Sequence, residues 1–515
     1  MSTASRLVSG GIASWAQVVV MILAQIALVP IYLSHWSVTM YGTWLAVQSL
    51  ASIISSLDYG HHEFLAYEFL RIGRENRPRL SLTIWSGVSI GLLISVAQIV
   101  VVFLFLATGA LNGLLDKAQT IDADLLHDAG VVLMLQAFVW LLNNSVTGLL
   151  FRALAPFGYF PRMAWWNLGS SVVSAIAPVF AVMLGAKLLA TGLVVAVATT
   201  VFSIPIYIDL FRWLRREQIP FCAPSLRLGL RNFFYSTAVS GKGLLENARQ
   251  HGVRLVLAPL AGAASLTAFS TMRTGANIAV QGMGTVTQPL MPDLMLFLHQ
   301  RDQMRSEAAF STVWFVLVAV LAPAMVVIQS FVEPFYLLWT RGRVPFNPAL
   351  FASLSLTVLV YALAQPAIAV VRGNNLLRPQ LFLSALAAVV VVGGIYLLVP
   401  NLGILGGGVA LATAEVVAAV GYQIVAHRWL RRNELKWPKQ YSFIATTSVL
   451  IAALAMGALV LSPQARFIIL PVALLLLLGN CWQYWRLLPA LIRQHVVRIV
   501  GSFPGVRKLY AFGKL

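Results

Sequence analysis

LSLTIWSGVSIGLLISVAQIVVVFLFLA, residues Leu80 to Ala107, carries no charged side chain and no proline, and its reading decides the fold class. A helix rises about 1.5 Å per residue, so roughly 20 apolar residues cross the hydrocarbon core of a bilayer; this run suffices. It is not exceptional in the chain. Of the 515 residues 59% are apolar and 10% charged, whereas a soluble domain needs about 25% charged residues to cover its surface. The composition requires lipid as solvent.

Apolar runs between polar punctuation predict an all-α polytopic membrane protein of about 14 transmembrane helices, each near the length that spans a bilayer. They begin with Gly11–Leu33 and Met40–Tyr59, include Asn232–Leu257, Gly262–Leu290 and Gly403–Ala426, and end with Tyr441–Leu461 and Phe467–Trp485. The first run exceeds a signal-peptide core and lacks a small-x-small cleavage site, so it reads as a retained helix. Lysine and arginine alternate with these spans. After spans 2, 6 and 12 come Arg71, Arg74, Arg77 and Arg79, then Arg212, Arg215 and Arg216, then Arg428, Arg431 and Arg432. Opposite loops hold only Lys117, Lys187, Arg341, Arg343 and Arg466. Positive loops stay inside, which predicts cytoplasmic termini. The formal charge of +19 is thus dispersed over short loops instead of one face, which argues against nucleic acid as a partner.

An internal echo organises the chain. Gly192-Leu-Val-Val-Ala-Val-Ala-Thr199 near span 6 parallels Gly406-Gly-Gly-Val-Ala-Leu-Ala-Thr413 near span 12. Duplicated halves are common in transporters. The expected organisation is a six-helix lobe over 1–211, a basic linker over 212–231, a second six-helix lobe over 232–427, appended helices over 428–486 and a basic tail over 487–515. The tail interleaves apolar residues with Arg493, His495 and Arg498, a pattern suited to anionic headgroups.

Charges inside the membrane single out spans 7 and 8. Lys242, Glu246, Arg249 and Arg254 interrupt the first, and Arg273 lies in the second. Each costs roughly 2.5–3.5 kcal/mol at mid-bilayer, so the set facing lipid would cost over about 10 kcal/mol; protein or water must face it. Steps of four and three put Lys242, Glu246 and Arg249 on one helical face, while Arg254 lies round the helix and is expected to snorkel. Four cations against one anion leave +3, which pairing within these spans does not neutralise. The stripe reads either as a salt-bridge ladder or as the wall of a transport cavity for an anionic cargo, and the excess favours the cavity. Asp58 and Asp209 end spans beside basic loops and read as helix-end pairing partners. Glu415, within span 12, reads as a partner of span 7 or as a carrier of a coupling proton.

Catalytic apparatus is not evident. No extended loop holds a sugar site, no Walker or Rossmann fingerprint occurs, and the pair Asp122-Ala-Asp124 falls on the predicted periplasmic side, away from nucleotide sugars. His61-His62-Glu63 lacks metal-ligand spacing, because adjacent histidines on a helix diverge by about 100°; it reads as an interfacial polar patch. Cys222 and Cys481 suggest neither a disulfide framework nor a zinc site. No cofactor is expected beyond a coupling ion, H+ or Na+.

Three stretches carry a family likeness: Tyr41-Gly-Thr-Trp44 running on to Leu57-Asp-Tyr-Gly60; Leu260-Ala-Gly-Ala-Ala-Ser-Leu-Thr-Ala-Phe-Ser270 leading to Pro289; and Gly373-Asn-Asn375 through Pro400-Asn-Leu-Gly-Ile-Leu-Gly406. In these the chain resembles the polysaccharide-type lipid-linked oligosaccharide flippases of the multidrug/oligosaccharidyl-lipid/polysaccharide exporter superfamily. The resemblance implies two six-helix lobes around a cavity, alternating access, and an undecaprenyl-pyrophosphate-linked oligosaccharide as cargo. It also implies pyrophosphate-holding roles for Lys242, Arg249 and Arg273, and polysaccharide polymerase and export machinery as partners. Where relatives show an aspartate followed by a basic residue, this chain has Glu246-Asn-Ala-Arg249. The competing expectations are a peptidoglycan-precursor flippase, whose N-terminal arginine-rich signature is not evident here, a cation-coupled drug exporter, and a membrane-embedded glycosyltransferase or polymerase.

Overall fold

The computed structural model describes residues 3–115, 121–374 and 376–488, some positions in the first, seventh and ninth helices by their backbone alone. Among the described residues every regular element is helical. The helices are α1 (Thr3–His35), α2 (Val38–Ile72), α3 (Arg77–Ala107), α4 (Ala110–Leu115), α5 (Ala123–Asn143), α6 (Thr147–Ala153), α7 (Phe160–Met183), α8 (Leu188–Arg216) and α9 (Leu226–His299). They continue as α10 (Gln303–Val316), α11 (Ala322–Trp339), α12 (Pro348–Gly373), α13 (Leu377–Leu402), α14 (Ile404–Arg432), α15 (Lys439–Leu461) and α16 (Arg466–Leu487). A π turn, Leu317–Leu321, joins α10 to α11.

Twelve helical stretches among the described residues are long and apolar enough to cross a membrane. Two of the expected spans stand outside that set. Met40–Tyr59 is helical within α2 but interleaves Thr43, Gln48, Ser49, Ser52, Ser55, Ser56 and Asp58 with its apolar residues, which lowers its hydropathy, and the side chains of Asn232–Leu257 lie in part outside the described residues. The outward faces are apolar, with Leu397, Leu454 and Leu461 exposed as lipid-facing residues should be.

Helix boundaries follow local chemistry. Ser37 accepts the Met40 N–H at 3.1 Å, Asn76 the Arg79 N–H at 3.2 Å and Asn347 the Leu350 N–H at 3.0 Å, which caps α2, α3 and α12. The tight α7–α8 and α13–α14 turns rest on Gly185 (φ 82°) and Gly403 (φ 56°) in left-handed conformation. Each glycine follows a leucine, Leu184 or Leu402, so a matching turn recurs in both halves of the sequence.

By contact the chain divides into two units, the first comprising Met1–Thr274, Leu337–Phe346 and Ala388–Ala410, the second Gly275–Tyr336, Asn347–Ala387 and Leu411–Leu515. In the second unit α12 is the axis: 83% of its apolar window is buried, and Val358, Leu359, Leu363 and Val370 pack into a core with α10, α15 and α16. There the Trp314 indole N–H donates to the Leu363 carbonyl at 2.9 Å, and the Tyr484 hydroxyl to the Ser311 carbonyl at 2.8 Å. Trp314→Phe leaves that carbonyl without its donor and is expected to lower stability by about 1–2 kcal/mol, read as a lower thermal midpoint in detergent.

In the first unit the crossing of α2 over α9 explains the motif glycines. A Cβ at Gly42 would overlap the Ala263 carbonyl, and one at Gly60 would overlap the backbone of Ser240. The Thr267 hydroxyl donates to the Val38 carbonyl at 2.8 Å, tying the start of α2 to the same stretch of α9. Gly262, at φ 81°, breaks the α9 run next to this contact. Two of the resembling stretches therefore meet as a small-residue helix crossing.

Candidate functional site

Within the first unit α1, α2, α3, α5, α6, α7 and α8 surround a cavity of about 600 Å³. Its wall is built by helical periodicity. On α2, Trp44, Gln48, Ser52 and Ser55 recur in steps of four, four and three, and on α7, Asn167, Ser170 and Ser174 recur in steps of three and four. On α5 Gln136, Trp140 and Asn143 do the same, and Asn144 stands at the break before α6. In each helix the opposite positions are apolar, so each presents one polar stripe inward.

The hydroxyls of Ser52, Ser55 and Thr199 donate to carbonyls one turn back, at 2.9, 3.1 and 2.7 Å. This satisfies their protons and leaves oxygen lone pairs to accept. The side-chain amides of Gln48, Gln136, Asn144 and Asn167 make no hydrogen bond among the described residues. Arg152 is the sole charged residue of the lining, and it is engaged: it donates to Glu63 and to the Gly148 carbonyl, each at 3.0 Å, and lies over the Tyr59 ring at 5.6 Å.

Beside this end of the cavity α2 holds Asp58, one of the carboxylates singled out in the sequence. Asp58 is fully buried, 3.2 Å from Nε2 of His62 one turn on. Gly148 makes room for that imidazole, since a Cβ there would come within 2.9 Å of the ring. His61 reaches the Gly87 carbonyl at 3.2 Å. The expected interfacial patch His61-His62-Glu63 is corrected by these positions: both histidines are buried between helices, because α2 turns this face onto α3 and α6. Asp58 pairs within its own helix, not with a basic loop. Asp209 does pair as expected, accepting Nε of Arg162 at 2.7 Å, a second guanidinium N–H, and the Trp166 indole N–H at 2.8 Å.

The side chains of Lys242, Glu246 and Arg249 lie outside the described residues. Arg273, in the first unit, is buried within the apolar stretch Gly252–Gln281, and Glu415, in the second, is buried on α14; interactions hold both. Arg254, expected to snorkel, is half-buried, its Nε sealed from solvent without a hydrogen-bond partner among the described residues. No group of three or more His, Cys, Asp or Glu among the described residues is placed to hold a metal ion.

A search for intramembrane charge passes over the polar stripes, which are neutral. Their signal was the heptad-like recurrence of Gln, Asn and Ser at Gln136/Asn143 and Asn167/Ser174 inside otherwise apolar runs.

The sequence matches no protein-family model, and no curated protein matches it. The fold, however, is similar to that of solved membrane transport proteins. The lipid II flippase MurJ in an inward closed conformation is similar over 93% of this chain and 98% of its own, with a TM-score of 0.62 at 12% identity. An inward-facing multidrug resistance transporter of the MATE family gives a TM-score of 0.59 at 14% identity over 80% of this chain and 99% of its own. A mutant of the Vibrio cholerae MATE transporter VcmN gives 0.54 at 13% identity over 84% and 98%. At such identities the likeness is one of fold.

Proposed function

We propose that this protein is a secondary transporter that flips an undecaprenyl-pyrophosphate-linked oligosaccharide from the cytoplasmic to the periplasmic leaflet for surface polysaccharide biosynthesis, such as lipopolysaccharide or exopolysaccharide. The observation that carries the reading is the concentration of Lys242, Arg249, Arg254 and Arg273 against the lone Glu246 within residues 232–290 of α9, the stretch expected to lie in the bilayer. A net positive stretch there complements a pyrophosphate and repels the cationic amphiphiles that a drug exporter carries. The fold supports a transporter over an enzyme. Membrane lipids and, downstream, polysaccharide polymerase and export machinery are the partners this role entails, and proton or sodium coupling through Glu415 would drive it.

Arg249→Ala or Arg273→Ala is expected to abolish surface polysaccharide while the protein stays at parental levels in the inner membrane. Unchanged polysaccharide would remove those residues from the site. Reconstituted translocation of the lipid-linked saccharide by the purified protein tests the function directly. A peptidoglycan precursor is the second cargo reading, favoured by the likeness to a lipid II flippase over nearly the whole chain; translocation of lipid II in the same assay, without the oligosaccharide, would select it.

A further inference from the structure

The cavity of the first unit is neutral where α9 is cationic, and that difference divides an amphiphilic cargo between them. We propose that this cavity is a glycan subsite, which takes the hydroxyl-bearing sugars of the cargo while the cations of α9 take its pyrophosphate; the inference rests on the flippase reading above.

The chemistry of the wall selects the ligand class. No carboxylate lines the cavity, so no anionic group there draws a cation, and the charge of its single guanidinium, Arg152, is met by Glu63, so the wall offers no unneutralised cation to a phosphate. What faces the space is a set of amides and hydroxyl oxygens. Each amide of Gln48, Gln136, Asn144 and Asn167 offers both a donor and an acceptor, and a sugar hydroxyl also donates and accepts. The hydroxyls of Ser52 and Ser55 already donate to the backbone, so they present acceptors to a ligand O–H. A purely apolar occupant would strip water from these amides without replacing its hydrogen bonds, which is unfavourable.

Flat apolar surfaces complete the set. Tyr32, Trp44 and Trp140 line the same space. Tyr32 is held in place by stacking on Tyr41 at 5.1 Å and by Trp44 at 6.3 Å. Aromatic faces beside neutral hydrogen-bonding groups suit the C–H faces and hydroxyl edges of a pyranose. A volume of about 600 Å³ is in the range of small-molecule sites.

Binding by the purified full chain in detergent tests this with two probes: the undecaprenyl-pyrophosphate-linked oligosaccharide extracted from the producing cells, and glycan-free undecaprenyl pyrophosphate. In Gln136→Leu and in Asn144→Leu, affinity for the oligosaccharide lipid is expected to fall about tenfold, the effect of one or two neutral hydrogen bonds, with affinity for the glycan-free lipid unchanged. Equal loss for both lipids in a chain of unaltered melting temperature, or no loss for either, overturns the glycan subsite and leaves the flippase reading standing. A parental chain that binds neither lipid overturns the flippase reading, and the subsite with it. Asn167→Ala, at an exposed point of the cavity wall, repeats the comparison if a leucine variant does not accumulate.

Discussion

Gly42→Leu is expected to leave little or no folded protein in the membrane. The side chain would start from a Cβ that overlaps the Ala263 carbonyl, which is backbone, so no rotamer change on α9 relieves the clash. Either α2 and α9 separate, losing the Thr267 bond to Val38, or the left-handed break at Gly262 moves. Overpacking a well-filled core costs about 1–3 kcal/mol where side chains can yield; here both surfaces are main chain and the cost exceeds that range. Gly60→Leu, against the backbone of Ser240, should behave likewise. Gly457 and Gly479 are the contrast: a Cβ at either meets nothing within 4 Å, and Gly→Ala there removes unfolded-chain entropy, so stability holds or rises by up to about 1 kcal/mol. Quantifying membrane-inserted protein and its detergent melting temperature separates the two classes; normal accumulation of Gly42→Leu would show that the helices do not touch there.

His62→Leu is the second large effect. Asp58 is fully buried, and His62 lies 3.2 Å from its carboxylate within an interior that Gly148 leaves open for the imidazole. Removing the imidazole leaves a buried carboxyl group without the polar group that lies 3.2 Å from it. The expected loss is about 3 kcal/mol, between the cost of an unmade neutral hydrogen bond and that of a broken buried ion pair. Asp58→Leu/His62→Leu removes both polar groups and should recover part of the loss, giving a coupling energy of about 1–3 kcal/mol in a double-mutant cycle of thermal unfolding. Additive single effects would show that the two side chains act independently.

The sites differ in how far the chain alone disclosed them. Asp209 was readable because a carboxylate at a helix end beside arginines has few other partners, and Arg162 supplies the expected guanidinium. His61 and His62 were misplaced because a sequence does not say which way a polar face of a mostly apolar helix turns; α3 and α6 bury them. The cavity stripes were missed for a related reason. Single Gln, Asn and Ser residues are tolerated anywhere along a membrane helix, and only the convergence of seven helices distinguishes a wall from scattered polarity.

By itself the sequence determined the solvent, the helical class and the approximate bounds of most of the long apolar helices. Backbone groups in hydrocarbon must bond within their own segment, so long apolar runs have one solution. It also located the charges in α9, since a charge within an apolar run is conspicuous at any tertiary arrangement. Only the tertiary structure decided which helices cross closely enough to require Gly42 and Gly60, which histidine meets Asp58, and which neutral side chains face one another across a cavity. Those depend on contacts between residues far apart in the chain, and lipid gives an apolar face and a weakly polar face nearly equal standing until a neighbouring helix chooses between them.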